Sequence, residues 1–585
     1  MRSPAAVLSA LAVLAAATAP PAHAAGPNTS IGRDGAAATV DRLATKAALD
    51  TLRRGGNATD AAVAAAAVLG VTEPFSCGIG GGGFMVSYSS RGRAVTTLDH
   101  RERAPLAMAP DAFIENGAPL AFDPARYSGL SVGVPGTVRA WESALRRHGT
   151  ISLAQALAPA IRIAGEGFVV DATFASQIQE NLAFFDDVPA TAALYLDPDG
   201  TPRDVGTVFR NPDLARTYRL LARRGARGFY RGPLAQAIIR TIRNPPVSAT
   251  ADHRWRPGVM DAADLRNYPA VERPPVATTY RGLNVFGMGP PSSGGSTVAE
   301  ALNILEGYPL RTMSRADALH LELEAARLAF ADRGAYVADP DYVRDLPLSG
   351  LLSKDFAATR RALIGDAAAR SPVAAGDPAP FAAAAARGEA SATTTRAGST
   401  THITVADRRG NVVAYTFTIE STGGSGLVVP GYGFLLNNEL TDFNFDSTTH
   451  PNRVQGGKRP RSSISPTIVL RGGKPYLAVG SPGGSTIITT VLGLLVDRID
   501  LGRTLPAAIA APRASQRNTA ATAAEPAFIA SPEAAALGDR GHTFTTMTEI
   551  GAATGIEFLA GGRLQAAAEP VRRGGGSALV VRRTR

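Results

Sequence analysis

Apolar residues recur at helical spacing through the first and middle parts of the chain. In residues 41–53 they lie three or four positions apart, and Gly55-Gly56 ends this predicted helix. A second, alanine-rich helix is predicted to be capped by Thr59-Asp60 and to run to about Leu69. The same periodicity predicts further helices over residues 138–147, 153–165, 316–336 and 487–496 and in the segment after Ser296.

Apolar and polar residues alternate instead near the two ends of the chain, which is typical of strands. Residues 401–407 and 412–419 alternate on either side of an Arg-Gly-Asn turn and therefore predict a hairpin. Other strands are predicted over residues 85–88, 95–98, 467–470, 476–479 and 577–582. Strands at both ends with helices between them predict one layered α+β unit that is built from both halves of the chain.

The segment before the hairpin has neither pattern. Residues 366–399 are almost all Ala, Pro, Gly, Arg, Ser and Thr, with hardly a side chain that could anchor a core. A featureless segment of this length inside a domain would be explained if the chain were cut at its end. A cut between Ser399 and Thr400 would leave Thr400 with a free α-amine, and that amine could act as the base for its own hydroxyl.

The beginning of the chain has the pattern of an export signal. Arg2 supplies the positive charge, residues 7–17 the apolar stretch, and Ala22-His23-Ala24 the small residues of a cleavage site. The apolar stretch is short for a membrane span, so no stable membrane anchor is expected. These features predict a signal peptide over residues 1–24 and a periplasmic or extracellular protein.

Composition excludes several kinds of partner. The net charge is +10, but nearly every cation is an arginine and none is grouped in a basic block with aromatic residues, so nucleic-acid binding is not expected. The single cysteine, Cys77, allows no intramolecular disulfide and is interpreted as a packing residue. The eight histidines are far apart and form no zinc motif, so neither a metal nor another cofactor is expected.

Three glycine-rich motifs differ in what they predict. Residues 129–133 match the Gly-x-Ser-x-Gly elbow of serine hydrolases, but a polar, proline-interrupted run precedes Ser131 where the elbow needs a buried strand. Residues 78–83 precede a strand and are interpreted as a turn where backbones pass closely. Residues 480–485 join a strand to a helix; they fit either an oxyanion-binding loop or an ordinary helix-capping turn.

Dense polar residues in two further segments, 437–443 and 458–467, indicate either a recognition pocket or two surface loops. Taken with the motifs above, they make the chain similar to one family. The motifs that carry this resemblance, in chain order, are residues 55–62, 78–84, 99–105, 290–295, 400–402, 435–438, 459–463 and 480–485. In order and spacing they resemble the γ-glutamyltranspeptidase family of N-terminal nucleophile (Ntn) hydrolases over nearly the whole chain after residue 24.

The resemblance implies a four-layer αββα sandwich and a precursor that cleaves itself between Ser399 and Thr400. Residues 25–399 would form a large, mostly helical subunit with a flexible tail at about 366–399, and residues 400–585 a small catalytic subunit, held together as a heterodimer. Thr400 would attack its own preceding peptide bond and then the γ-carbonyl of a glutathione-like donor. The glutamyl group would pass to water or to an amino acid or peptide acceptor.

The resemblance also implies a role for each residue of the site. Thr418 would hydrogen-bond Thr400, and the backbone N–H groups of Gly483 and Gly484 would form the oxyanion hole. The glutamyl α-carboxylate would be bound by Arg101, Ser462 and Ser463. The α-ammonium would be held by Glu439 and Asp442.

Two departures from the family bear on the substrate. Glu420 stands where better-known members have an asparagine, so three carboxylates would surround one ammonium, and either one of them binds a proton or the pocket admits another donor. The connection over residues 443–458 is shorter than in members with a lid, which would leave the pocket open to water. We therefore hypothesise that hydrolysis competes strongly with transfer.

Three alternatives remain at this stage. The first is a related acylase or amidohydrolase for another acidic acyl group, an alternative that Glu420 leaves open. The second is a secreted solute-binding protein that keeps only the scaffold, although it would have no use for Thr400, Thr418 and Gly483. The third is a serine hydrolase with Ser131 as its nucleophile.

Overall fold

The predicted hairpin lies at the centre of a seven-stranded antiparallel sheet. The computed structural model describes residues 28–382 and 398–582, so the predicted signal peptide lies outside the described residues. The strands, in chain order, are β1 (Thr29–Gly32), β2 (Gly35–Thr39), β3 (Gly82–Ser89), β4 (Ala94–Asp99), β5 (Ile114–Glu115), β6 (Ala118–Pro119), β7 (Phe168–Val169), β8 (Val208–Phe209), β9 (Val271–Arg273), β10 (Val276–Tyr280), β11 (Leu283–Gly287), β12 (Thr400–Asp407), β13 (Val412–Thr418), β14 (Thr467–Arg471), β15 (Lys474–Gly480), β16 (Ala514–Ser515), β17 (Thr522–Ala524), β18 (Phe544–Thr546), β19 (Thr554–Leu559), β20 (Arg563–Ala568) and β21 (Ser577–Val580).

Two large sheets pack face to face, and each contains strands from both ends of the chain. One has the order β21-β2-β12-β13-β3-β4-β9, and the other has the order β1-β20-β19-β15-β14-β11-β10. All neighbouring strands within these two sheets are antiparallel. The inner faces of the two sheets share one apolar core, to which β12 contributes Ala406 and β15 contributes Ala478.

Helices cover both outer faces. They are α1 (Arg42–Arg53), α2 (Ala58–Thr72), α3 (Phe122–Arg126), α4 (Thr137–His148), α5 (Leu153–Glu166), α6 (Ala172–Gln179), α7 (Leu182–Phe185), α8 (Pro189–Tyr195), α9 (Pro212–Arg224), α10 (Arg227–Tyr230), α11 (Pro233–Arg243), α12 (Ala262–Arg266), α13 (Gly294–Leu305), α14 (Arg315–Tyr336), α15 (Leu348–Leu351), α16 (Lys354–Arg361), α17 (Thr486–Ile499), α18 (Leu505–Ala510), α19 (Pro526–Ile529) and α20 (Pro532–Asp539).

These elements form the predicted αββα sandwich. Helices α1 and α2 pack on the sheet that contains β12, whereas α13 and α17 pack on the sheet that contains β15. Every residue of α2 is buried, because this helix lies between its sheet and the helices α1, α4 and α5. Such a helix is apolar all round, which explains its alanine-rich sequence.

Two local features differ from the sequence-based expectations. The α2 helix is capped by Asn57, not by Thr59-Asp60: the Asn57 side chain accepts from the Asp60 N–H, and Asp60 accepts in return from the Asn57 N–H. Residues 366–382, expected to lack core contacts, are anchored in the structure. The Val373 N–H donates to Asn518 at 2.7 Å, and Phe381 packs against the apolar cluster around Phe356.

The predicted turn before β3 allows a close backbone approach. A Cβ atom built on Gly81 would lie 1.9 Å from the carbonyl oxygen of Thr418, and one built on Gly80 would lie 2.0 Å from that of Leu435. A side chain at Gly81 would therefore push away the end of β13, where the candidate site begins, and one at Gly80 would push away the backbone at Leu435.

Candidate active site

Thr400 and Thr418 face each other across the central hairpin. Thr400 is the first residue of β12, and its direct partner in the antiparallel register is Thr418, the last residue of β13. Directly opposed residues place their side chains on the same face of a sheet. Both threonines are buried, and their hydroxyl oxygens lie 3.3 Å apart.

The hydroxyl of Thr418 also contacts the peptide bond that the sequence marks for cleavage. Its Oγ1 donates to the carbonyl oxygen of Ser399 at 2.7 Å while it accepts from Thr400. The Glu420 N–H donates to Thr418 Oγ1 at 2.8 Å, and Glu420 is held at a φ of 79°. A non-glycine residue in this left-handed region carries backbone strain, which is found repeatedly at functional sites.

A second set of contacts holds the backbone on the other side of this bond. Arg573 Nη1 donates to the carbonyl oxygen of Thr400 at 2.6 Å, and Arg573 also hydrogen-bonds Ser76 and forms an ion pair with Glu73. Ser399 Oγ in turn donates to Ser76 Oγ at 2.8 Å. Three parts of the chain thus converge on Ser399 and Thr400. They are the segment after α2 with Glu73 and Ser76, the hairpin with Thr418, and the turn before β21 with Arg573.

The glycine loop between β15 and α17 lies beside them. Gly483 and Gly484 have φ values of 132° and 56°, which favour glycine. Among the described residues neither N–H group donates a hydrogen bond, and a Cβ atom built on Gly398 would lie 3.0 Å from the Cα of Gly484. The loop can therefore offer free N–H donors close to the Ser399–Thr400 bond.

These residues open onto a cavity of about 400 Å³. Most of the sequence-predicted site residues line it. Those that do are Arg101, Thr400, Thr418, Glu420, Glu439, Asp442, Ser462, Ser463 and Gly484. The other two predicted positions, Ser399 and Gly483, do not line the cavity. Each directly precedes a residue that does, Thr400 and Gly484.

Acidic residues already surround Arg101 inside this cavity. Its guanidinium forms ion pairs with Glu439 and Asp442, and it also donates to the backbone oxygens of Pro460 and Arg461. Burial opposes the charge of Arg101, but the neighbouring carboxylates outweigh burial and raise its pKa above the usual range. Arg101 therefore stays charged, and a substrate carboxylate would have to share it with Asp442 or displace Asp442 from it.

Three acids near Arg101, the buried Glu102 and Glu439 and the half-buried Glu420, hold their protons more tightly than usual. Burial raises the pKa of Glu102 to about 8 and that of Glu439 well above its ordinary value. Burial, reinforced by the charge of Asp442, also raises the pKa of Glu420. The shift of Glu420 agrees with the first of the two readings made from the sequence, in which one carboxylate of the cavity takes up a proton more readily than an ordinary glutamate does.

The two predicted serines of the cavity are held by Ser293, just before α13, and by Arg333 of α14. The backbone N–H and the hydroxyl of Ser293 both donate to the Ser462 carbonyl oxygen, at 2.8 and 2.6 Å. Ser463 Oγ accepts from Arg333 at 2.8 Å.

The sequence did not predict Arg333, Glu102 or Arg573 as site residues, because no chemical motif contains them as ligands or nucleophiles.

Two other sites give no functional arrangement. Ser131 Oγ donates to the carbonyl oxygen of Arg126 at 2.7 Å, and neither a strand before it nor a helix directly after it forms a nucleophile elbow. Asp187, Asp252 and His253 place potential metal-ligating atoms within 4.8 Å of one another. Asp187 is already used by the Trp255 N–H at 2.7 Å, and none of the three lines the cavity.

The family model described as gamma-glutamyltranspeptidase matches residues 44–579. The chain belongs to the γ-glutamyltranspeptidase family. It is 40% identical to the glutathione hydrolase proenzyme of Bacillus subtilis (strain 168) over 496 residues. The aligned residues cover 83% of this chain and 81% of that protein. It is also 35% identical over 549 residues to the acylase ACY 1 proenzyme of Pseudomonas sp. (strain V22), with 92% of each chain covered.

Solved structures agree with this membership in the γ-glutamyltranspeptidase family. The cephalosporin acylase from Bacillus halodurans superposes with a TM-score of 0.83 at 29% identity, over 97% of this chain and 99% of that one. The fold is therefore that of Ntn hydrolases, as predicted. No helix in the part of the chain that the structure describes is long and apolar enough to cross a membrane.

Proposed function

We propose that this protein is an exported, self-processing γ-glutamyltransferase and glutathione hydrolase. The observation that carries the proposal is the threonine pair: Thr400 Oγ1 lies 3.3 Å from Thr418 Oγ1, which donates to the Ser399 carbonyl at 2.7 Å. The proposed nucleophile, its hydroxyl partner and the bond proposed to be cleaved first are thus in contact. Family membership and the relatives named as glutathione hydrolase proenzymes support the same activity.

The first reaction would be the cleavage of the chain itself. Thr400 Oγ attacks the Ser399 carbonyl carbon, and Thr418 donates to the carbonyl oxygen as negative charge develops on it. The C–N bond then breaks, the Thr400 nitrogen takes up the proton that the hydroxyl lost in the attack, and an ester joins Ser399 to the Thr400 oxygen. Water hydrolyses this ester, which frees the Ser399 carboxylate and leaves Thr400 with a hydroxyl and an α-amine.

The second reaction would use the freed residue on a γ-glutamyl amide. The α-amine of Thr400 takes the hydroxyl proton as the oxygen attacks the γ-carbonyl, and the N–H groups of Gly483 and Gly484 bind the oxyanion. The amine leaves with a proton, and the glutamyl ester on Thr400 passes to water or to an acceptor amine. Arg101, Ser462 and Ser463 would bind the α-carboxylate, with Glu420, Glu439 and Asp442 beside the α-ammonium.

The activity is tested by product analysis with a γ-glutamyl donor and glycylglycine as the acceptor. We expect glutamate release from glutathione and formation of some γ-glutamyl-glycylglycine. Because the connection over residues 443–458 is short, glutamate release should exceed transfer at neutral pH. Dominant transfer would contradict the hypothesis of an open pocket, and the absence of both products would contradict the proposed function.

A second candidate is an acylase for an acidic acyl group that lacks the α-ammonium. Glu420 distinguishes the γ-glutamyl donor from such an acyl donor. Its carboxylate attracts the α-ammonium, which only the γ-glutamyl donor carries. We expect wild-type kcat/KM to be higher for γ-glutamyl-p-nitroanilide than for glutaryl-p-nitroanilide. The reverse order would favour the acylase.

Replacing Glu420 with glutamine should selectively weaken donors that carry an α-ammonium. Loss of one charge-assisted contact should raise KM for γ-glutamyl-p-nitroanilide about tenfold and leave KM for the glutaryl analogue equal or lower. Burial raises the pKa of Glu420, so this residue is protonated at a higher pH than an ordinary glutamate. The wild type should therefore lose affinity for the γ-glutamyl donor in that higher pH range as the solution is acidified. The Glu420→Gln variant should lack that component of the pH profile of KM.

Replacing Arg573 with glutamine should slow self-cleavage. The variant loses the charged contact to the Thr400 carbonyl and the ion pair with Glu73, so the scissile bond is held less firmly. We expect the cleavage rate constant, followed by gel densitometry, to fall about tenfold or more. Arg563→Gln, at a surface residue of β20, is the matched control and should be cleaved at the wild-type rate; equal rates in the two variants would contradict this role of Arg573.

A further inference from the structure

Two buried arginines that the proposed function does not use stand behind serines of the cavity. Arg333 Nη2 donates to Ser463 Oγ at 2.8 Å, and Arg517 Nη1 donates to Ser485 Oγ at 2.6 Å. Arg333, Ser463 and Ser485 line the cavity, and Arg517 lies behind Ser485. The positive side of the cavity is therefore not limited to Arg101.

Each arginine fixes the direction in which its serine can donate. A hydroxyl has one hydrogen and two lone pairs, and a guanidinium N–H uses a lone pair. Among the described residues, the hydroxyls of Ser463 and Ser485 accept from these arginines and donate to no protein atom. Both hydroxyl hydrogens are thus free for an acceptor in the cavity.

The two guanidinium groups are buried with only hydroxyl partners. Arg333 is 5% exposed and bonds Ser293 and Ser463, while Arg517 is 1% exposed and bonds Ser485. In the described part of the chain, Arg333 Nη1 and Arg517 Nε have no hydrogen-bond partner. Neither arginine forms an ion pair with a described residue, and burying an unpaired cation is costly, so this part of the cavity wall favours an incoming anion.

The pKa values of Arg333 and Arg517 are both lowered, as expected for arginines that are buried without an ion-pair partner among the residues that the structure describes. Burial and the neighbouring Arg461 lower the pKa of Arg333 well below its ordinary value, with the charge of Asp442 opposing them. Burial lowers the pKa of Arg517 to about 10, which keeps it charged at neutral pH. A bound carboxylate would relieve the unfavourable burial of both cations.

Ser485 connects this positive region to the reaction centre. It directly follows Gly484 and is the N-cap of α17, a helix of 14 residues, and its side chain makes no capping bond. The N-terminus of a helix attracts an anion. An anion held by Ser485 and Arg517 would therefore lie next to the proposed oxyanion loop, beside the bond that is broken or formed.

We propose that Ser485 and Arg517, supported by the charge of Arg333, form a second carboxylate subsite for the amine side of the γ-glutamyl bond. Its ligand is the carboxylate of the amino acid or peptide that leaves during acylation or enters as the acceptor. The proposal rests on the proposed function, in which the glutamyl zwitterion occupies Arg101, Ser462, Ser463 and the acidic residues. A separate subsite then reads the other end of the donor.

The test compares two donors that differ only in this carboxylate, γ-glutamylglycine and γ-glutamylglycinamide. The wild type should have a higher kcat/KM for the free acid. In Ser485→Ala and in Arg517→Gln the ratio of the two values, acid over amide, should fall about tenfold. Thr441→Ala is the matched control, because Thr441 also lines the cavity but its hydroxyl bonds Asn438 and no arginine; its ratio should match the wild type.

The outcomes separate the two proposals. Each variant is measured after it has cleaved into two fragments, which shows that it has folded, and the two variants probe the subsite independently. A wild type that hydrolyses both donors with equal kcat/KM, or variants that keep the wild-type ratio, would overturn the subsite alone. A wild type that hydrolyses neither donor would overturn the proposed function and the subsite with it.

Discussion

Replacing Thr400 with alanine is expected to leave the protein as one uncleaved chain with no measurable hydrolysis of γ-glutamyl-p-nitroanilide. Alanine has no oxygen to attack the Ser399 carbonyl, and without cleavage no α-amine is formed at residue 400. The backbone should be unaffected, because β12 keeps its pairing with β13 through main-chain groups. Denaturing electrophoresis and p-nitroaniline release measure the two effects.

Thr400→Ser is the control for this variant, since it keeps a hydroxyl and loses only a methyl group. It should still cleave, at a reduced rate, and should retain activity once cleaved. Full processing of Thr400→Ala would show that another residue attacks the bond. Loss of cleavage in Thr400→Ser as well would point to misfolding instead of lost chemistry, and thermal unfolding curves would detect this.

Replacing Thr418 with valine is expected to have the next largest effect. Valine matches the shape of threonine but removes the hydroxyl that accepts from Thr400 and donates to the Ser399 carbonyl. It also leaves the Glu420 N–H without its acceptor in a buried position. By analogy with the loss of one oxyanion donor, self-cleavage should slow by about 10²–10³-fold.

The rate constant of Thr418→Val is measured by following the full-length chain after purification of uncleaved precursor. Thr418→Ser restores a hydroxyl at nearly the same position and should recover most of the wild-type rate. If Thr418→Val and Thr418→Ser cleave equally fast, the hydroxyl has no part in the reaction, and Thr418 would be only a packing residue of β13.

The main elements of the site could be predicted from the sequence because they are local. The alternation in residues 401–419 with a turn between the strands places Thr400 opposite Thr418 in any hairpin of that register. The glycine loop after β15 is marked by its own composition. The roles of Arg101, Ser462 and Ser463 came from the resemblance to a family, since nothing in their local pattern indicates a ligand.

The remaining features depend on contacts between distant parts of the chain. Arg573 reaches the carbonyl of Thr400 from 173 residues away, and its sequence context resembles that of many other arginines in this chain. Arg517 supports Ser485 over a separation of 32 residues in the same way. The raised pKa values of Glu102 and Glu439 arise mainly from burial, which composition and spacing do not reveal.

The segment before the cleavage site illustrates a limit of compositional reasoning. Its small and polar residues predicted no core contact, yet residues 366–382 are held by backbone hydrogen bonds to side chains of other elements, such as Gly376 N–H to Asp332. Small residues allow this close backbone approach, so their presence does not by itself indicate a loose segment.

The central claim is that the bond between Ser399 and Thr400 breaks and exposes Thr400 as the nucleophile. The most direct test is the intact mass of the purified wild-type protein, together with the N-terminal sequence of its smaller component. We expect two chains, with the smaller one beginning Thr-Thr-His-Ile at residue 400. A single uncleaved chain with full activity on γ-glutamyl-p-nitroanilide, or a cut at another bond, would contradict the claim.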